Sequence, residues 1–143
     1  MKRLDQFDSM ADALVYIREN VYGCAGSKQA EKYLREHLPK ESYYQDKIIK
    51  FLKEAYPEGF AWKEAAGPYS RQGIPDVSAV IDGRYYGFEV KRPFIGVLSK
   101  IQEQTIKRIR AAGGIAEVVT FPEEVKKIIE EVRNERRTDY RSN

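Results

Sequence analysis

The sequence is poor in the side chains that most often bind metals or act as nucleophiles. It holds one cysteine, Cys24, and one histidine, His37. A single cysteine excludes an internal disulfide and a cysteine-based zinc site. A single histidine excludes a histidine-rich metal site, and any Ser-His-Asp relay would depend on His37. If the chain is an enzyme, its reactive groups must be carboxylates, lysines and amides. These favour hard cations with oxygen ligands.

Long apolar runs are also missing. No stretch approaches the roughly 18–20 apolar residues that a membrane-spanning helix needs. The N-terminus is basic but lacks an apolar segment behind it, so we expect no signal peptide and place the protein in the cytoplasm. The 143 residues suit one domain of ordinary size, and an apolar content of 42% is enough for a hydrophobic core.

Charge is abundant but nearly balanced, with 25 basic and 22 acidic residues giving a formal net charge of +3. The distribution is uneven, because residues 91–110 contain six basic side chains and only one acidic side chain, Glu103. A local basic stretch in a balanced chain predicts a surface that faces phosphate groups. The alternative is a solvated helix face with no ligand.

Periodicity, caps and turn residues predict an α/β fold. The expected helices cover about residues 9–22, 26–38, 41–56, 98–112 and 122–137, and the expected strands cover 60–64, 76–81, 84–91 and 115–120. A loop is expected at 67–73, and Asp82-Gly83 is a strong hairpin signal. We divide the chain into a helical N-terminal extension (1–39), a main domain (40–137) and a frayed tail (138–143).

Three polar residues fall on the apolar faces of predicted helices. On the third helix, Glu41 and Gln45 lie one turn apart within the apolar arc. Gln102 lies inside the apolar arc of the fourth helix, whereas Gln104 lies outside it. A buried carboxylate requires a partner or a cation, so Glu41 indicates a site. The alternatives are a half-exposed Glu41 that favours the helix dipole, and a Gln102 that is a satisfied core amide.

The return strand of the hairpin places Glu89 and Lys91 on one face, with Gly87 beside them leaving room for a ligand. Asp76 enters the preceding strand after Pro75. The register of the hairpin is open at this point, so Asp76 need not oppose Glu89. Alone, the Glu89–Lys91 pair is also compatible with a simple salt bridge.

The combination of these segments resembles the PD-(D/E)XK nuclease superfamily and, within it, the VRR-NUC domains. The resemblance covers about residues 40–125 and includes the third helix around Glu41 and Gln45. Four further segments carry it: Gly73-Ile74-Pro75-Asp76, Gly87-Phe88-Glu89-Val90-Lys91-Arg92-Pro93, Leu98-Ser99-Lys100-Ile101-Gln102 and Ala112-Gly113-Gly114-Ile115-Ala116.

The resemblance implies a restriction-endonuclease-like αβββαβ core with a mixed central sheet, and a metal-dependent DNA endonuclease. Its Mg²⁺ or Mn²⁺ ligands would be Asp76, Glu89 and the Val90 carbonyl. Glu41 would hold a second cation or position water for the first. Lys91 would act on the attacking water, with Gln102 supporting Lys91 or that water. Gln45 would be a supporting amide outside the ligand set.

DNA is the expected partner, and four basic residues are candidates for phosphate contacts: Arg92, Lys100, Lys107 and Arg108. Cleavage selective for junctions, flaps or nicks is expected, and a homodimer is favoured mainly by the resemblance. A base-specific restriction-type nuclease and a non-catalytic nucleic-acid-binding module are the alternatives. The N-terminal extension is read either as a dimerisation element or as a helix-turn-helix-like DNA contact.

Overall fold

The computed structural model describes residues 1–65 and 71–142, so most of the loop expected at 67–73 lies outside the described residues, as does Asn143. After a short 3₁₀ turn at Leu4–Gln6, the elements follow in the predicted order. The helices are α1 Met10–Asn20, α2 Ser27–His37, α3 Glu41–Ala55, α4 Lys100–Ala111 and α5 Pro122–Ser142. The strands are β1 Phe60–Lys63, β2 Val77–Ile81, β3 Arg84–Val90 and β4 Ile115–Val119.

Helix α5 differs from the prediction at its C-terminal end. It continues to Ser142, whereas the sequence predicts an end near residue 137 and a frayed tail over residues 138–143. The segment after Arg137 contains no glycine or proline, so nothing in it interrupts the backbone hydrogen bonding of the helix.

The four strands form one mixed sheet in the order β1-β2-β3-β4. Strands β1, β2 and β3 pair antiparallel, and β4 pairs parallel to β3 after the crossover through α4. Asp82 and Gly83 both have positive φ, 55° and 77°, as the predicted two-residue hairpin turn requires. The α3-β1-β2-β3-α4-β4 order confirms the expected αβββαβ core with a mixed sheet.

The two faces of the sheet have different neighbours. Tyr86, Phe88 and Val90 point from β3 into the main hydrophobic core, which α3 and α5 cover with residues such as Ile48 and Ile129. Glu89 points to the opposite face, where α4 packs. Because side chains alternate along a strand, the apolar side chains of β3 face the core and Glu89 faces the other side.

The first 39 residues build a second, smaller core. It contains seven buried side chains: Leu4, Ala13, Ile17, Cys24, Ala30, Leu34 and Leu38. Phe94 and Ile95, from the segment after β3, pack against this cluster. A buried hydrogen bond of 2.9 Å from Tyr44 Oη to Asp5 Oδ2 also joins the extension to α3. The extension is thus attached to the main domain both by apolar packing and by hydrogen bonds.

The structure contains no helix, within its described residues, that is long and apolar enough to cross a bilayer.

Candidate metal centre

Three carboxylates from separate elements meet beside the end of β3. Glu41 is the first residue of α3, Asp76 directly precedes β2, and Glu89 lies in β3. One oxygen from each lies within 4.8 Å of the others. The Val77–Phe88 pairing places Asp76 opposite Glu89 at the next step of the ladder, which resolves the register that the sequence leaves open. The structure therefore brings together the three acidic residues that the sequence analysis selects.

Glu89 is the most enclosed member of the group, with 1% of the residue exposed. Its Oε1 accepts a hydrogen bond of 2.6 Å from Gln102 Nε2 and lies 3.5 Å from Lys91 Nζ. Its Oε2 is buried and has no hydrogen-bond partner among the described residues. Burial and, next, the charge of Asp76 raise the pKa of Glu89, while Lys91 opposes the rise. In the described part of the chain, the second oxygen is thus enclosed without a hydrogen-bond partner.

Asp76 is fixed by both of its neighbouring strands. Its Oδ2 accepts a 2.9 Å hydrogen bond from the backbone N–H of Val90, and its carbonyl accepts one of 2.8 Å from the N–H of Glu64. The first bond was not foreseen, because it joins a side chain to the backbone of the next strand and depends on the register. It orients the Asp76 carboxylate beside Glu89.

Glu41 fits both alternatives given by the sequence, a site carboxylate and a half-exposed residue at the start of a helix. It is half-buried in the first turn of α3, and its carboxylate faces the other two. Burial raises its pKa, the charge of Asp76 adds to the rise, and Lys91 and Arg92 oppose it. Gln45 is half-buried one turn further along α3, and its supporting role stays a prediction.

Lys91 lies on the site side of the sheet, as strand alternation predicts. Only 17% of its side chain is exposed, and its ammonium lies 3.5 Å from Glu89 Oε1. Lys91 thus places an ammonium beside a group of three carboxylates. Lys91 therefore offsets the charge of the cluster only in part.

Gln102 reaches the site from α4, as its helical position predicts. Its amide donates to the Glu89 carboxylate, and its expected support of Lys91 or of a water stays a prediction. Its Oε1 accepts from the N–H of Ser99, and Ser99 Oγ accepts from the N–H of Gln102, which forms a capping box. The Ser-x-x-Gln spacing is a sequence signal for this cap. Gln104 is exposed, as predicted.

The donor set fits a divalent cation that prefers oxygen ligands. Three convergent carboxylates with one ammonium leave an excess of negative charge, and the buried Glu89 Oε2 has no protein donor among the described residues. Buried charges of this kind are stable only when paired or bound to metal. Mg²⁺ and Mn²⁺ suit carboxylate oxygens, and no thiol or imidazole belongs to the group. The Val90 carbonyl stays a predicted ligand.

The four predicted phosphate contacts have different surroundings. Lys100 and Arg108 are exposed on α4, and exposed Lys107 lies 3.6 Å from Glu103 in an i,i+4 pair. Arg92 is only half-exposed. Its Nε and Nη2 donate three hydrogen bonds, of 2.8–2.9 Å, to backbone carbonyls, so these donors are not free for a phosphate group.

Comparison with known proteins gives one solved structure. No protein-family model and no curated protein matches the chain. The matching structure is described as a "VRR_NUC domain", with 26% sequence identity and a TM-score of 0.49. The match covers 61% of this chain and 95% of the other, so the chain is similar over rather more than half of its length to a VRR_NUC domain.

Proposed function

We propose that the chain is a divalent-metal-dependent nuclease that hydrolyses phosphodiester bonds in DNA. The observation that carries the proposal is the meeting of Glu41, Asp76 and Glu89, with Lys91 against Glu89. A binding module has no need for a buried carboxylate with an oxygen that, among the residues described, lacks a hydrogen-bond partner. The resemblance of the same residues to the PD-(D/E)XK motif agrees with this chemistry.

Asp76, Glu89 and Glu41, with the Val90 carbonyl, would hold Mg²⁺ or Mn²⁺. Such a cation offsets phosphate charge and lowers the pKa of bound water. The protein holds two of these carboxylates in place with hydrogen bonds. The Val90 N–H donates to Asp76, and the Gln102 amide donates to Glu89. Carboxylates fixed before the metal binds lose less freedom on binding.

Lys91 would orient the attacking water and stabilise negative charge on it. Its short distance from Glu89 places an ammonium at the edge of the carboxylate cluster, and its side chain is mostly shielded from solvent. A charge in such a site interacts more strongly than one on the open surface. This role requires Lys91 to stay charged.

DNA is the proposed substrate because exposed basic residues follow the site along α4. Lys100 and Arg108 would contact backbone phosphates rather than bases, which fits selection by DNA structure. Replacing either by alanine should weaken DNA binding and reduce the log-log salt slope by about one unit. A homodimer, which would present two sites to two strands, is part of this proposal and is tested by light scattering at several concentrations.

The test is a cleavage assay on end-labelled hairpin, flap, four-way-junction, nicked and linear duplex DNA, each with Mg²⁺, Mn²⁺ or EDTA. We expect internal cuts with a cation, no cuts in EDTA, and higher rates on branched or nicked substrates than on linear duplex. Asp76→Ala is the control against a contaminating nuclease. Equal rates in EDTA would refute the metal assignment, and tight DNA binding with no cleavage under any condition would favour the non-catalytic alternative.

A further inference from the structure

Arg92 connects the strand end that carries Glu89 and Lys91 to the peptide that precedes Glu41. Its Nε donates to Pro39 O at 2.9 Å. Its Nη2 donates to Arg35 O at 2.9 Å and to Leu38 O at 2.8 Å. Three of the five guanidinium N–H donors therefore hold the C-terminal end of α2 and the link to α3.

This link ends two residues before the first helical residue of α3, which is Glu41. The N-cap residue Lys40 makes no side-chain hydrogen bond to the helix. The start of α3 thus has no side-chain N-cap, and the attachment of the preceding peptide constrains it. Glu41 is also the site carboxylate furthest in sequence from the other two, so its placement depends on contacts between distant parts of the chain.

The N-terminal extension contributes to the same attachment. Phe94, two residues after Arg92, and Ile95 pack against the small core that α1 and α2 form. The peptide after β3 is therefore bonded to the end of α2 through Arg92 and packed on the extension through two apolar side chains. The extension and the segment after β3 are therefore joined by hydrogen bonds and by apolar packing, directly before the start of α3.

We propose that Arg92 is a positioning residue of the metal centre, which sets the Glu41 carboxylate against Asp76 and Glu89 through the Pro39 and Leu38 carbonyls. The inference rests on the proposed function, since it assigns Arg92 a part in the same site. It also makes the N-terminal extension a structural component of the site.

The experiment measures Mn²⁺ binding by isothermal titration calorimetry on the full chain, without DNA and therefore without any cleavage readout. Four proteins form a double-mutant cycle: the wild type, Arg92→Gln, Glu41→Gln and the double variant. Loss of an outer-shell partner typically lowers metal affinity by about 10–100-fold, and we expect about ten-fold for Arg92→Gln. In the Glu41→Gln background the same change should alter affinity by less than about two-fold, because the ligand that Arg92 positions is absent.

Arg18→Gln is the matched control. Arg18 also donates a guanidinium hydrogen bond to a backbone carbonyl, from Nε to Ala25 O at 3.0 Å, but within the extension alone. Its replacement should leave Mn²⁺ affinity unchanged. If Arg92→Gln proves unfolded by circular dichroism, Arg92→Lys replaces it in the cycle, because lysine keeps the charge but not the planar fork of donors.

The outcomes separate the two proposals. A wild type that binds no Mn²⁺ at millimolar concentration would refute the proposed function and, with it, the inference. Wild-type binding with equal affinity in a folded Arg92 variant would overturn the positioning role alone. So would an Arg92 effect that is as large in the Glu41→Gln background as in the wild type.

Discussion

Replacing Glu89 by glutamine is expected to stabilise the metal-free protein while removing its response to divalent cations. The side chain is buried, its Oε2 lacks a partner among the described residues, and two further carboxylates lie close by. Glutamine keeps the shape and can still accept the hydrogen bond from Gln102. The substitution therefore removes mainly a charge, and its effect can be worked out from the distances.

At an effective dielectric constant of about 20, like charges about 4.8 Å apart repel by about 3.5 kcal/mol, and the Glu89–Lys91 pair at 3.5 Å attracts by about 4.7 kcal/mol. Two carboxylate neighbours against one ammonium leave the ionised side chain unfavourable by about 2 kcal/mol. We expect Glu89→Gln to raise the free energy of unfolding by about that amount in EDTA at pH 8. For a chain of this size the melting temperature should rise by about 6–8 °C.

The effect should depend on pH in a defined direction. The pKa of Glu89 is raised above its ordinary value of 4.5 in the folded protein. The folded protein therefore binds the Glu89 proton more tightly than the unfolded chain does. The stability gained from this difference is fully present below the unfolded pKa and is lost as pH rises through the folded pKa. The advantage of Glu89→Gln over the wild type should be small at pH 5 and grow toward pH 8.

The assay is thermal or urea unfolding in EDTA and in about 5 mM Mg²⁺. This concentration is meant to fill a metal site of low affinity. Glu103→Gln, on the exposed face of α4, is the control and should change stability by no more than about 0.5 kcal/mol. Mg²⁺ should stabilise the wild type and the control but not Glu89→Gln. A metal-free Glu89→Gln protein that is less stable than the wild type at pH 8 would refute the reasoning.

Three further substitutions test the remaining roles. Gln102→Ala should lower the cleavage rate at least ten-fold, about 1.4 kcal/mol, because Glu89 loses its hydrogen bond, while Gln104→Ala should be near neutral; equal effects would contradict the assignment. Lys91→Met should lower the single-turnover rate at saturating DNA with little change in affinity, and a wild-type rate would reduce Lys91 to a structural ion pair. Asp76→Ala should abolish cleavage but leave DNA binding largely intact, as measured by fluorescence anisotropy, and undiminished cleavage would rule out Asp76 as a ligand.

Local periodicity was sufficient to locate most of the candidate site. Helical phase placed Glu41 and Gln102 toward the interior, and strand alternation placed Lys91 with Glu89, because each position depends only on spacing within one element. The hairpin signal brought β2 and β3 together but left their register open. The Asp76–Val90 bond depends on that register, so it could not be derived from the spacing.

Arg92 shows where sequence reasoning was insufficient. From the sequence, Arg92 could contact a phosphate group or support local structure. In the structure it donates to carbonyls 53, 54 and 57 residues away in sequence. A guanidinium suits both kinds of acceptor, so residue type alone does not decide between them. Phe94 and Ile95 lie in an irregular segment after β3, where no helical or strand period predicts which side chains are buried. Their packing on the N-terminal core is visible only in the folded structure.

The metal centre is tested most directly by anomalous difference density from crystals grown or soaked with Mn²⁺, with data collected near the manganese edge. We expect a peak between Asp76 and Glu89, within coordination distance of both carboxylates and beside Glu41, and no such peak in Asp76→Ala crystals. Clear density for the three side chains with no manganese peak among them, under conditions where Mn²⁺ supports cleavage, would contradict the assignment of these carboxylates as metal ligands.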